Sequence, residues 1–262
     1  MPMVDFDFQR YVERRKGALA AQAREGAAYA YSGDLKVLRT LDKLRPVRIS
    51  VEATVRLWGQ AARAELLGSA TRVTAKESPR LFAVVEKCAQ ALHIAAPPVY
   101  LARDLGGLAS GAFGTNEEAY LLFDRDLVDE LTDPELADFV GRECGHLQNG
   151  HVVYLTALFY LTRFAGRFVR WIVKPATLAL EGWSRRAAVT ADRAGLLCTR
   201  DLGVSESVLR RLSGAPENPD ESSPRVLALR LFAESAYFRG LVGEPDGLDP
   251  AACDAKVAEV LR

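Results

Sequence analysis

The chain has 262 residues, of which 49% are hydrophobic and 26% are charged. This composition excludes a disordered or collagen-like chain, and a chain of this length buries enough surface to fold without disulfides. Lys and Arg together number 34, as do Asp and Glu, so the formal net charge is zero. A dedicated nucleic-acid-binding domain is expected to be strongly basic, and we therefore expect no nucleic-acid partner.

Cysteine spacing and the start of the chain indicate the compartment. The four cysteines lie more than fifty residues apart, so no CxxC pair exists for a zinc knuckle or a redox motif: Cys88, Cys144, Cys198 and Cys253. Residues 1–16 are rich in charge and lack the apolar stretch of a signal peptide. We therefore expect free thiols and a cytoplasmic protein.

The first third of the chain is predicted to be helical. Residues 4–31 have a charged amphipathic pattern, and a break follows at 32–34. Further helices are predicted over 35–44, ending before Pro46, and over 47–67. Ser78 is a suitable N-cap and Pro79 suits the first position of the next helix.

The middle of the chain predicts a small sheet and the rest predicts helices. Short strands are expected at 99–101 and 119–123, with a glycine-rich loop over 106–114 between them. Thr132 and Asp133 predict the start of a helix that runs from 134 to about 149. Beyond it the pattern predicts helices at 182–202 and 225–238, separated by a polar linker. We therefore predict an α+β fold that is mostly helical.

The stretch with chemical information is 141–151, with the sequence GRECGHLQNGH. With a histidine at position 142 it would contain HExxH, in which two histidines on one helix face bind zinc and the glutamate activates a water molecule. Position 142 is Arg142, whose guanidinium has no lone pair for a metal.

The chain resembles the HtpX-like and CAAX-prenyl-protease-like HExxH zinc peptidases, which are gluzincins. The second matching segment is 183–196, WSRRAAVTADRAGL, which is similar to the family pattern SRxxExxxDRxG. Residues 78–92, Ala112-Phe113-Gly114, Leu121-Leu122-Phe123 and 131–135 resemble other parts of the family domain. The resemblance covers roughly residues 65–212.

The resemblance implies a gluzincin metallopeptidase-like domain, with a small edge-strand sheet over the active-site helix. It implies that Glu143 is a vestigial general base, that His146 is the only retained metal ligand, and that Asp192 orients the first ligand position. Arg142 and Ala188 replace the other two ligands. The substrate-edge strand is implied to include Ala112, Phe113, Gly114, Ala119, Tyr120 and Leu121.

Substitute metal ligands are the alternative to a lost zinc site. His151 lies five residues after His146, about 140° around a helix, so it points elsewhere unless the helix ends at Gly150. Cys144 lies off the ligand face and Glu181 is a remote acidic candidate. We expect no bound metal, and zinc only if such ligands exist. Arg142 is instead predicted to contact Asp192 and Glu143 as a structural cation in place of the metal.

These observations predict a zinc-free pseudopeptidase that binds a polypeptide segment or protein partner, by strand addition near 119–123. The alternative is an active zinc metalloendopeptidase. We divide the chain into a helical N-terminal extension (1–75), the peptidase-like domain (76–213) and a linker with a C-terminal helical segment (214–262).

A basic stripe predicts a possible second contact surface. Four cations follow helical spacing beside aromatic residues: Arg163, Arg167, Arg170 and Lys174. Such helices can lie on anionic membranes, which would make the protein membrane-peripheral. The alternative is a solvated face of a helix that packs against the core.

Overall fold

The computed structural model describes residues 26–57, 68, 70–103, 105, 110–115, 118–163, 167–212, 223–244 and 246–262. Four short strands form the sheet: β1 (Thr71–Arg72), β2 (Val99–Ala102), β3 (Gly111–Gly114) and β4 (Ala119–Asp124). The helices of these ranges are α1 (Ser32–Leu41), α2 (Arg45–Leu57), α3 (Pro79–Ala91), α4 (Arg125–Glu130), α5 (Asp133–Gln148), α6 (Val152–Arg163), α7 (Arg167–Thr199), α8 (Leu202–Leu212), α9 (Pro224–Ala233), α10 (Ala236–Val242) and α11 (Pro250–Val260). The predicted mostly helical α+β fold with one small sheet is confirmed.

The sheet order is β1-β2-β4-β3, with β2 parallel to β4 and the other two pairs antiparallel. β4 therefore lies inside the sheet, and β3 forms one of its edges. All four residues of β3 are buried, because α5 and α6 pack against this strand. The expectation of an exposed edge at 119–123 is wrong, since both sides of β4 are already hydrogen-bonded to other strands.

Helix α5 begins with the strongest local signal in the chain. The Thr132 hydroxyl accepts a hydrogen bond from the Glu135 N–H, and the Glu135 carboxylate accepts one from the Thr132 N–H. Pro134 lies in the first turn, where its missing N–H costs no backbone hydrogen bond of the helix. This capping box fixes the start of the helix that carries Arg142, Glu143 and His146.

Helices α5 and α7 make the most extensive contact in the fold and approach closely at small residues. A Cβ atom added at Gly145 would lie 2.5 Å from the Cβ of Ala194. One added at Gly195 would lie 2.7 Å from Cγ of Arg142. Glycine at both positions therefore allows the approach that brings the 142–146 motif against α7.

Several predicted element bounds need correction. Residues 26–31 form turns instead of ending a helix, because the Ala27 N–H donates to the Asn149 side chain and Gly26 has a φ of +78°. Residues 111–114 of the predicted loop form β3. The predicted helix at 182–202 is the end of α7 and stops at Thr199, since Arg200 has a φ of +57°.

The remaining differences also have local causes. The predicted 225–238 helix is divided at Ser235, whose hydroxyl accepts from the Phe238 N–H and starts α10. Helix α2 begins at Arg45, with Pro46 in its first turn. The predicted helix over 4–25, the end of the 47–67 helix, the 106–109 loop and the 214–222 linker lie outside the described residues.

We expect Gly145→Ala to lower the free energy of unfolding by about 2 kcal/mol, because the new methyl group has no room against Ala194. The matched control is Gly182→Ala in α7, where no described atom lies within 4 Å of the added Cβ. That change is expected to raise stability by about 0.5–1 kcal/mol through helix propensity. Urea denaturation measures both, and equal effects at the two positions would contradict the packing explanation.

Candidate functional site

Arg142 lies buried between α5 and α7, 6% exposed, and contacts a carboxylate on the second helix. Its Nε atom is 3.0 Å from Oδ1 of Asp192, and both side chains are buried. Neither Nε nor Nη1 of Arg142 makes a hydrogen bond to a residue in the described part of the chain. Charge attraction between the two side chains therefore contributes more to this contact than ideal hydrogen-bond geometry does.

Asp192 also holds a second guanidinium, which the sequence did not reveal. Arg225, in the first turn of α9, donates from Nε to Oδ2 at 2.9 Å and from Nη2 to Oδ1 at 2.6 Å. This two-pronged geometry matches a carboxylate and is stronger than a single hydrogen bond. Arg225 follows a proline at a helix start, and no spacing relation in the sequence connects it to the 142–146 motif.

Glu143 points to the sheet. Its Oε2 atom accepts a hydrogen bond of 2.9 Å from the N–H of Ala112 in β3. Burial raises the pKa of Glu143 to about 7, although the positive charge of Arg142 and the Ala112 N–H oppose the rise. Asp138, one turn before Arg142, has a pKa raised by burial to about 6, which a hydrogen bond from the Ser205 hydroxyl partly offsets. The buried charge cluster thus contains three carboxyl groups and two guanidiniums: Asp138, Glu143, Asp192, Arg142 and Arg225.

His146 lies one helical turn after Arg142 and contacts a second imidazole. Its Nδ1 atom lies 3.0 Å from Nδ1 of His151, because α5 ends at Gln148 and Gly150, with a φ of +69°, turns the chain back. Nε2 of His151 lies 3.0 Å from Oδ2 of Asp34 on α1. Burial lowers the pKa of His146. Nδ1 of His151 thus contacts His146, whereas Nε2 lies beside the Asp34 carboxylate without a hydrogen bond to any described residue.

The other candidates do not gather around His146. Cys144 is fully buried on the other side of α5, and burial raises the pKa of its thiol, as expected for a packing residue. Ala188 lies one helical turn before Asp192 on α7 and carries only a methyl group. Glu181 is exposed, and the structure places it in none of these contacts.

The profile of peptidase family M48 matches residues 75–239, more than half of the chain. The chain belongs to peptidase family M48. It is 30% identical over 153 residues to the plastoglobule-localized metallopeptidase 48 of the Arabidopsis thaliana chloroplast. The match covers 57% of this chain and 44% of that protein, so the chain spans less than half of its relative's length. No solved structure matches significantly.

Members of family M48 are typically zinc-dependent, so the side chains of this site must be compared with what zinc needs. A catalytic zinc ion takes three protein ligands and keeps one position for water. Arg142 and Ala188 have no lone pair to offer, so His146 is the only donor among the three ligand positions. Among the described residues, no three side chains of the His, Cys, Asp or Glu type gather as a metal site. These donors do not fit a zinc ion at the M48 position.

Most side chains of the basic stripe are not among those that the structure describes. The side chains of Arg163, Arg167 and Arg170 are not among those described, and Lys174 is exposed. Within the described ranges, no helix is both long and apolar enough to cross a membrane.

We expect Arg142→Ala to lower the free energy of unfolding by about 3 kcal/mol, because Asp138 and Glu143 lose a buried positive charge and Asp192 keeps only Arg225. Arg48→Ala is the matched control, since the Arg48–Glu52 pair is exposed and should contribute less than about 1 kcal/mol. Urea denaturation compares the two variants. A loss of stability for Arg142→Ala no greater than that of the control would contradict a structural role for this guanidinium.

The raised pKa of Glu143 predicts a dependence of stability on pH. Between the ordinary glutamate pKa of 4.5 and the raised pKa of about 7, the folded state binds a proton at Glu143 that the unfolded state has released. The contribution of this group to stability is therefore present at low pH and falls as pH rises through that window. Glu143→Gln, which mimics the protonated acid, should reduce the loss of stability between pH 5 and pH 8. If the free energy of unfolding, measured by urea denaturation, falls equally between pH 5 and pH 8 in both proteins, the assignment is contradicted.

Proposed function

We propose that this M48 chain is a zinc-free pseudopeptidase, which binds a polypeptide segment or protein partner in the former active-site cleft without cleaving it. The observation that carries the proposal is the buried Arg142 guanidinium, 3.0 Å from Asp192. A fixed cation stands at the first ligand position, where the rest of the family is implied to carry a neutral histidine.

The electrostatics of the cluster support a structural exchange of cations. Asp138 and Glu143 on α5 and Asp192 on α7 are all buried. Burying carboxylates without positive partners is strongly unfavourable. A guanidinium supplies permanent positive charge without any metal ion, and Arg142 together with Arg225 provides two. The cluster is therefore stable as protein alone.

The edge of β3 supports polypeptide binding in a form that differs from the sequence expectation. The outward N–H of Ala112 donates to Glu143, and that of Gly114 donates to the Thr156 hydroxyl at 3.3 Å. An extended segment that adds to β3 must displace these two side chains, after which its main chain makes the same bonds. The binding edge we propose is Gly111–Gly114.

This edge predicts where a bound polypeptide protects the backbone. With a tryptic digest of casein as the polypeptide probe, amide hydrogen exchange at Ala112 and Gly114 should slow as peptide is added. The opposite edge at Thr71–Arg72 serves as the internal control and should not change. Exchange that is unaltered at β3 with saturating digest would contradict strand addition there.

An active zinc metalloendopeptidase is the alternative. In it Glu143 would act as the general base on a metal-bound water, with His146 and further ligands holding the ion. Arg142 and Ala188 at two of the ligand positions do not favour that arrangement, and Glu143 already accepts a hydrogen bond from the Ala112 N–H.

Metal content separates these two functions. Protein purified without chelators and offered zinc is expected to hold less than about a tenth of an equivalent, because one imidazole cannot retain the ion. Close to one equivalent, abolished by His146→Ala, would overturn the proposal. The double variant Arg142→His with Ala188→Glu is expected to regain zinc, whereas each single variant should not. If the double variant binds none, the assignment of these two ligand positions is wrong.

Peripheral contact with an anionic membrane through the basic stripe stays a prediction, as does a cytoplasmic location. The word plastoglobule in the name of the Arabidopsis relative describes that protein. Co-sedimentation with anionic liposomes that falls as salt rises would support membrane contact by this chain.

A further inference from the structure

Two thiols from distant parts of the chain meet on one turn of α5. The Cys88 thiol on α3 donates a hydrogen bond of 3.3 Å to the main-chain oxygen of Ala137. Within α5 this oxygen is also the acceptor for the Gly141 N–H, so Cys88 lies beside Gly141. Gly141 has no side chain, and Sγ of Cys198 on α7 lies 2.7 Å from the place that its Cβ would take. Both sulfurs therefore lie against the same small residue.

The hydrogen bonds of the two cysteines show that they contact each other. Sγ of Cys198 lies 4.0 Å from the main-chain oxygen of Cys88, a residue 110 positions earlier in the chain. A hydrogen bond to the Cys88 side chain is the largest cause that raises the pKa of Cys198, ahead of burial. Both thiols are free. Two thiols in contact can form a disulfide without a large movement of the backbone.

The two cysteines differ in how far a small oxidant can reach them. Cys88 is 1% exposed, whereas Cys198 lies in the last turn of α7 and is half-buried. An oxidant therefore reaches Cys198 first, and Cys88 lies behind it as the second thiol. The other two cysteines lack this arrangement: Cys144 is fully buried, and the Cys253 thiol donates to the main-chain oxygen of Leu231.

We propose that Cys88 and Cys198 form a redox-modification site, at which a hydroperoxide links α3 to α7 through a disulfide. The Cys198 thiolate attacks the peroxide and becomes a sulfenic acid, and the proton that Cys198 released goes to the leaving oxygen. The Cys88 sulfur then attacks the Cys198 sulfur, and the sulfenic oxygen leaves as water with the Cys88 proton. The two thiols lose two electrons, which reduce the O–O bond of the peroxide.

The disulfide acts next to the charge cluster of the site. Gly141 directly precedes Arg142, and Cys198 lies six residues after Asp192 on α7. A bond from α3 to α7 across Gly141 therefore holds α7 against α5 beside the Arg142–Asp192 contact. In a reducing compartment such a bond is transient, which agrees with the free thiols of the structure. This inference does not depend on whether the chain binds or cleaves polypeptide.

Disulfide mapping of the full-length chain tests the inference, because trypsin separates the four cysteines into four different peptides. The folded protein is treated with an excess of hydrogen peroxide, since the raised pKa leaves little Cys198 thiolate. Remaining thiols are then blocked, and the peptides are separated without reductant. The expected product is one disulfide between Cys88 and Cys198, which dithiothreitol reverses. The oxidised protein should unfold at a temperature about 5–10 °C higher, because the bond closes a long loop.

Serine variants control the pairing. Cys88→Ser and Cys198→Ser should each abolish the cross-link between these two peptides. Cys253→Ser is the matched control, because Cys253 is also 1% exposed and its thiol also donates to a main-chain oxygen at 3.3 Å. That variant should form the Cys88–Cys198 disulfide to the same extent as the wild-type protein.

Three results would overturn the inference, and all are read from the wild-type protein, so no variant has to fold. The first is a treated protein in which both thiols remain unmodified. The second is a disulfide that pairs Cys88 or Cys198 with Cys144 or Cys253. The third is Cys198 oxidised to the sulfinic acid while Cys88 stays free. Neither metal content nor polypeptide binding enters this readout, so its failure is distinguishable from failure of the pseudopeptidase proposal.

Discussion

The close contact between α5 and α7 is the constraint on which the site depends. Gly145 and Gly195 remove the side chains that would separate the two helices, and the capping box at Thr132 fixes where α5 begins. At this short separation Arg142 contacts Asp192 directly. A charged group at this contact is buried, and its charge must be balanced within a few ångströms.

That balance explains why an arginine is tolerated at position 142. Three buried carboxyl groups lie near one another, and Arg142 and Arg225 supply the opposing charge. In a family that is typically zinc-dependent, a divalent ion would contribute comparable charge at such a site. A guanidinium gives the same sign of charge with fixed covalent attachment, so the buried carboxylates are balanced by a donor set that does not suit zinc.

Much of this arrangement could be predicted from local sequence. Thr132, Pro134 and Glu135 predicted the start of α5, and the spacing of Arg142, Glu143 and His146 placed them on one helix. The reversed chain at Gly150 was harder to predict, because whether His151 points away or folds back depends on where the helix ends. The interior position of β4 depends on strand order, which two short apolar runs do not determine.

The residues that the sequence could not reveal come from distant segments. Asp34 lies 117 residues before His151, in what reads only as a Ser-Gly-Asp break between helices. Arg225 lies beyond a polar linker and resembles any arginine at a helix start. Both reach the site through tertiary packing on α7, and nothing local marks them as members of a buried cluster.

The central claim is that the Arg142 side chain occupies the place that a metal ion would need. The most direct test is diffraction from crystals soaked in zinc, with anomalous differences measured at the zinc absorption edge. We expect no anomalous peak at the bonding distance of about 2.0–2.1 Å from Nε2 of His146, with Arg142 still against Asp192. A peak at that position, with the guanidinium displaced, would contradict it.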